Sequence, residues 1–178
     1  MPQPMSDSHF HCMTVMFKVR DLIVPRRKIL DEVDLRPGQT VLDFACGPGG
    51  YVPGAAERVG PQGKVFALDV HPLAVDAVRR IASRRGFAHV ETILSDGKTG
   101  LPDKSVDVVL LYDAFHNFEE PQTVLAELNR VLRNDGTLSF SDHHLSDGEI
   151  HSSVVEGGWF ELARRGKRTY AFRPIKRS

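Results

Sequence analysis

Between Val41 and Gly50 the chain reads VLDFACGPGG, a short apolar run carrying one acid, Asp43, followed by a glycine turn. Gly47, Gly49 and Gly50, with Pro48 among them, let the backbone bend sharply and lie close to a ligand, because no Cβ stands in the way. A carboxylate at the carboxyl end of a buried strand, next to such a turn, is the opening of a nucleotide-binding α/β unit. Asp69 lies 20 residues after Gly49, the distance at which an acid ending the second strand accepts hydrogen bonds from ribose hydroxyls. Capping of the next helix is the other use of an acid there. Three histidines offer different chemistry: His116, His143 and His144 follow two later strands, and imidazole can take a proton near neutral pH.

The elements that must position these groups follow from periodicity. A strand over 41–45 precedes a helix in which Pro53 fits the first turn and Val52, Ala55, Ala56 and Val59 recur at helical spacing. A second strand over 64–68 ends at Asp69, and a helix over 72–85 turns Ala74, Val78, Ile81 and Ala82 inward until Gly86 stops it. The third strand, 90–94, leads into Ser95, Asp96 and Gly97, and the fourth, 106–111, leads into Tyr112. A strongly patterned helix over 121–132 is closed by Asn134, Asp135 and Gly136 ahead of a fifth strand over 137–141. Before the core, 25–33 reads as a short helix stopped by Arg36, Pro37 and Gly38. After it come a helix over 147–157 and two strands, 159–164 and 168–173, joined at Arg165, Gly166 and Lys167. That turn is far too short for a parallel crossover, so the chain finishes in a hairpin.

The stretch around the glycine turn resembles the first motif of class I S-adenosylmethionine (SAM) dependent methyltransferases, D-x-x-x-G-x-G, carried by Asp43, Gly47 and Gly49. Ala45 stands where many members have a further glycine, so the turn is expected to be slightly less open there. The resemblance runs from about residue 35 to the end, includes LPDKSVDVVLL before and through the fourth strand, and is strongest to small methyltransferases related to the quinone-pathway C-methyltransferases. It implies an α/β, Rossmann-like sheet of seven strands, mostly parallel with an antiparallel last strand and with helices on both faces. It implies SAM as cofactor, S-adenosylhomocysteine as product, and a small-molecule methyl acceptor. Asp43, Ala45, Gly47, Gly49, Asp69, Val70, Ser95, Asp96, Gly97 and Tyr112 become cofactor-binding candidates. Asp96 takes the adenine amino group in this resemblance, whereas on residue type alone it also suits a turn beside Gly97. Residues 1–34 form an arm and helix expected to act as a lid on the domain 35–178. Phe10, Met16 and Phe17 are lid candidates, with ordinary core packing as the other reading.

Methyl transfer from a sulfonium is an in-line displacement with a good leaving group, so positioning of the acceptor supplies most of the catalysis. A base is needed only when the acceptor must lose a proton, as hydroxyls and carbon acids do and thiols hardly do. His116, His143 and His144 are the candidate catalytic residues, against the alternative of structural histidines. The nucleic-acid amino-methylating branch of the family carries Asp or Asn, two prolines and an aromatic where this chain has Asp113, Ala114, Phe115 and His116. Base methylation is thereby disfavoured, as it is by a formal net charge of zero from 23 basic and 23 acidic residues.

Two cysteines, Cys12 and Cys46, without C-x-x-C spacing argue against a structural zinc, against arsenite chemistry and for a reducing compartment. His9, His11 and Cys12 admit a metal site or a mobile chain end, and no metal is expected. No apolar run approaches the roughly 20 residues of a membrane helix and no signal pattern opens the chain, so a soluble cytoplasmic protein is expected. The basic tail residues Arg164, Arg165, Lys167, Arg168, Arg173, Lys176 and Arg177 form a solvated face or a docking point for an anionic partner. A short chain without an inserted cap suits a small acceptor, closed in by the arm or by a homodimer. Two other functions stay open. One is a SAM-binding sensor or partner subunit; the other is an NAD oxidoreductase, weakened by Val52 at the third glycine position of G-x-G-x-x-G.

Overall fold

Asp43 lies in the middle of the sheet in the computed structural model, which describes residues 6–7 and 26–176. Its strand, β1 (Thr40–Phe44), pairs in parallel with β2 (Lys64–Asp69) on one side and β4 (Val106–Tyr112) on the other. Val41, Leu42 and Phe44 are fully buried, as an apolar run without alternation must be when both faces of a parallel sheet are covered. β3 (Val90–Leu94) extends the sheet beyond β2, and β5 (Leu132–Ser141) extends it beyond β4. The finishing hairpin of β6 (Phe160–Arg165) and β7 (Tyr170–Pro174) folds back so that β7 inserts antiparallel between β5 and β6. The order β3-β2-β1-β4-β5-β7-β6 is the seven-stranded, mostly parallel sheet with an antiparallel last strand that the sequence implied.

Helices cover both faces. Val41, Val65, Ala67, Val108 and Leu110 meet α1 (Arg26–Leu30), α2 (Val52–Val59) and α3 (Pro72–Arg85). Leu42, Phe44, Leu68, Leu111 and Phe140 point the other way, toward α4 (Pro121–Val131) and α5 (Asp147–Val155). Local signals set the boundaries. α3 opens with Pro72 and stops at Gly86, whose φ of 69° is left-handed. α5 begins with a capping box in which Ser146 and Glu149 satisfy each other's backbone amides.

Most boundaries shift by one to three residues, and the largest change falls between α4 and β5. Residues 132–136 read as the close of a helix and a turn, yet Leu132 is already extended and pairs with Val106, after which the register shifts and resumes at Val108 and Thr137. The helix is therefore one residue shorter and the strand five residues longer, with a bulge absorbing the polar residues. Gly136 is required there, because a Cβ would sit 2.9 Å from the Arg133 carbonyl oxygen.

One polar residue ties the hairpin to the rest of the fold. Asn129, buried on α4, donates its Nδ2 hydrogens to the Trp159 carbonyl at 2.6 Å and the Ile175 carbonyl at 3.3 Å, bracketing β6 and β7. Asn129→Ala removes both donors, leaving the Trp159 carbonyl to the Ile175 N–H alone and taking from the Ile175 carbonyl its Asn129 donor, which is expected to cost about 1–3 kcal/mol. Urea unfolding monitored by circular dichroism measures it; a variant with an unchanged midpoint would show the tie to be dispensable.

Candidate functional site

The chain leaves β1 through Ala45, whose φ of 61° is a left-handed conformation that costs a residue with a Cβ about 1–2 kcal/mol. That is the physical reason glycine suits this position. Gly47 and Gly49 complete the turn with φ of 52° and 80°. A Cβ on Gly49 would stand 2.7 Å from Val78 Cγ2, so α3 packs directly on the turn, whereas Gly47 borders open space.

Asp69 closes the turn from the neighbouring strand. Its Oδ2 accepts the Gly47 N–H at 2.8 Å and its Oδ1 accepts the His71 N–H at 2.9 Å. The helix cap falls to His71, whose Nδ1 accepts the Leu73 N–H at 3.2 Å. Burial pushes the Asp69 carboxyl up and the two amides pull it part of the way back. Each oxygen retains capacity for a further donor such as a ribose hydroxyl. Asp43 is more exceptional: it is 3% exposed, and its Oδ2 has no hydrogen-bond partner among the described residues. Burial drives its carboxyl from the ordinary 3.8 to about 7, with Arg26 drawing it down and Asp69 adding to the rise.

Arg26 is a residue the sequence did not mark. Its guanidinium lies 4.9 Å from the Tyr51 ring centre, and a Cβ on Gly50 would fall 1.1 Å from its Nη1. Nothing in the spacing separates Arg26 from Arg27 beside it; only the fold shows which one reaches the turn. Asp43 and Arg26 together present the charge pair that matches an α-amino acid zwitterion. Next along the sheet, Val70 is half-buried, the Ser95 N–H donates to the Asp69 carbonyl at 3.0 Å, and Ser95 Oγ donates to the Lys98 carbonyl at 2.6 Å. Asp96 is exposed beside them and Gly97 takes a φ of 122°. The Tyr112 hydroxyl is engaged by Ser139 Oγ at 2.7 Å, and its ring packs against Tyr51 with centres 4.7 Å apart. Cys46 is a packed thiol that burial pushes up, with Asp43 and Asp69 adding to the rise.

The second half of the site stands at the ends of β4 and β5, which the Asp113 N–H joins by donating to the Ser141 carbonyl at 2.8 Å. Here the three histidines meet: the His144 ring lies 4.0 Å from that of His116 and 3.9 Å from that of His143, centre to centre. Two of them have carboxylate partners from the opposite loop. His116 Nδ1 is 2.8 Å from Asp142 Oδ2, and His143 Nδ1 is 2.8 Å from Asp113 Oδ1. The sequence reading passed over both acids as site residues, although Asp142 directly precedes the histidine pair. Asp113, Asp142 and His143 offer ligand atoms within 4.8 Å of one another. The Asp142 oxygens, however, already receive hydrogen bonds from His116 Nδ1 and from the His116 and His144 amides, so the group is a set of hydrogen-bonded carboxylate–imidazole pairs. A cavity of about 370 Å³ opens beside it, and its lining includes Asp113, Asp142 and His143 as well as Arg165, Lys167 and Arg168. His9, His11 and Cys12, and the lid candidates Phe10, Met16 and Phe17, lie outside the described residues.

Residues 35–162 match the family model described as a methyltransferase domain. The nocamycin O-methyltransferase of Saccharothrix syringae is 39% identical over 116 residues, covering 65% of this chain and 41% of that protein. The demethylmenaquinone methyltransferase of Geobacillus stearothermophilus is 28% identical over 130 residues, covering 72% of this chain and 56% of that protein. The chain thus spans about half the length of these curated relatives. The crystal structure of a SAM dependent methyltransferase from Aquifex aeolicus superposes with a TM-score of 0.73 at 29% identity, over 88% of this chain and 96% of that one.

The buried acid at the turn makes a prediction of its own. An Asp whose folded pKa is raised holds a proton that the unfolded chain has released, so folding loses stability as pH rises from about 4 to 7. The shift from 3.8 to about 7 corresponds to on the order of 4 kcal/mol. Asp43→Asn is expected to stabilise the protein above pH 7, by at most that amount, and to flatten the fall of Tm between pH 4 and 7. Thermal unfolding of both proteins across pH measures this, and a variant less stable than the parent at pH 8 would refute it.

Proposed function

The chain belongs to the SAM-dependent methyltransferase family, and from that premise we propose that it transfers a methyl group from SAM to a small-molecule acceptor. The observation that carries this reading is the buried, partnerless oxygen of Asp43 beside a turn whose Gly47 borders open space. Such an oxygen is completed by a cationic donor. A pyrophosphate, as in an NAD enzyme, would instead meet two buried carboxylates, Asp43 and Asp69.

Bound at this turn, SAM supplies a methyl group activated on a sulfonium. Asp43 accepts the ammonium of its amino-acid end, and Arg26 pairs with the carboxylate. Asp69, already holding the turn through Gly47, accepts the ribose hydroxyls, and Asp96 accepts the adenine amino group. The acceptor occupies the cavity beyond β4, whose volume of about 370 Å³ is of the order found for small-molecule sites. Two relatives are named for small organic compounds, nocamycin and demethylmenaquinone, which supports an acceptor of that kind. A formal charge of zero speaks against nucleic acid. Among the described residues no helix is long and apolar enough to cross a membrane.

Calorimetric titration tests the cofactor. SAM and S-adenosylhomocysteine are expected to bind and NAD not to bind. Asp69→Ala is expected to weaken SAM binding about ten- to a hundredfold while the protein stays folded. SAM affinity should rise with pH until Asp43 is ionised near 7, then fall as the cofactor's α-amino group loses its proton at about 8. Asp43→Asn removes the acidic limb. Binding without transfer of labelled methyl to any metabolite pool would establish the sensor or partner subunit instead.

A further inference from the structure

Methyl transfer does not by itself call for a base, so the carboxylate–imidazole pairs at the ends of β4 and β5 need a reason. Of the three histidines, His143 lines the cavity, with its side chain 60% exposed against 23% for His116. Asp113 Oδ1 stands 2.8 Å from its Nδ1 and 3.3 Å from its backbone N, which fixes the ring and places the Nδ1 hydrogen toward the carboxylate. Nε2 is then the nitrogen left for a bound molecule. His116 Nε2, by contrast, lies 2.8 Å from the Asn117 amide nitrogen and is taken.

We propose, resting on the methyltransferase reading above, that the acceptor carries its nucleophile as a hydroxyl and that His143, oriented by Asp113, removes that proton. In the step, the acceptor's O–H proton passes to Nε2, and an electron pair of the oxygen forms the bond to the methyl carbon. The pair of the methyl–sulfur bond returns to sulfur, which leaves as a neutral thioether. The products are the methylated acceptor, S-adenosylhomocysteine and an imidazolium on His143, whose proton is lost to water. A thiol gives up its proton readily and a free amine attacks through its lone pair, so neither explains an imidazole held by a carboxylate at the cavity wall. Asp113 is a positioning residue. Asp142 holds the rest of the cluster, accepting from His116 Nδ1 and from the His144 amide at 3.1 Å.

The experiment uses the full chain with methyl-labelled SAM at pH 8 and four probes: phenol, 4-nitrophenol, ethanethiol and glycine. Phenol keeps its proton at that pH, whereas 4-nitrophenol is largely ionised. The wild type is expected to methylate a phenol. His143→Gln is expected to lower kcat on phenol roughly 10²- to 10⁴-fold, with a much smaller loss on 4-nitrophenol. Asp113→Asn should reproduce that bias between the two phenols, in kcat rather than KM. Calorimetry with SAM on the same samples keeps the two readings apart: absence of SAM binding in the wild type is a failure of the methyltransferase reading, not of this one. With SAM bound, equal losses on both phenols, no loss on phenol, or wild-type turnover restricted to ethanethiol or glycine or absent from both phenols overturns the proposal.

Discussion

Two carboxylates buried side by side are the constraint around which this protein is built. Asp43 and Asp69 stand at the carboxyl ends of adjacent parallel strands, and Asp69 adds to the proton affinity of Asp43 in a setting already poor in water. Asp69 is relieved by the amides of Gly47 and His71, Asp43 only by the charge of Arg26. The arrangement persists because β1 is paired on both sides and cannot shift its register without moving Val41, Leu42 and Phe44 out of their cores. A site that holds an unsatisfied acid this rigidly is prepared for a cation, and the cost falls on the stability of the empty protein.

The other end of the site repeats the device with a different outcome. Asp113 and Asp142 also follow adjacent parallel strands, β4 and β5, yet each is met by an imidazole from the opposite loop. The crossed pairing stitches the two loops together where a parallel sheet offers no backbone ladder to do so. It leaves His143 at the cavity wall and His116 more buried, with the His144 ring tilted against both. Charge is thus divided along the carboxyl edge of the sheet: a carboxylate with one unbonded oxygen at the glycine turn, and paired acid and base at the cavity beyond β4.

What could be read from the sequence was whatever is encoded locally. The glycine turn, the acid at the end of β2 and the limits of α3, from Pro72 to the stop at Gly86, were all legible because each depends on residues within a few positions. So was the hairpin, since a short turn excludes a crossover. Arg26, Asp113 and Asp142 were not legible as members of the site. Their roles are set by which strand lies beside which, and an arginine near the turn or an acid after a strand carries no signal of its partner. The bulge between Val106 and Val108 escaped for the same reason: polar residues 133–135 look like a turn until Val106 on the neighbouring strand is seen to pair with Leu132.

The two ends of the site are not mechanically separate. Glu32, two residues beyond α1, accepts hydrogen bonds through Oε2 from the Arg168 and Thr169 amides and from Thr169 Oγ1, all at 3.0 Å. Gly166 must lack a Cβ for this, since one would sit 2.2 Å from that oxygen. The turn between β6 and β7, one wall of the cavity, is therefore anchored to the segment that brings Arg26 to the glycine turn and Ile29 to the cavity lining. The approach of Arg26 to the glycine turn and the position of one cavity wall thus rest on the same short segment, residues 26–32.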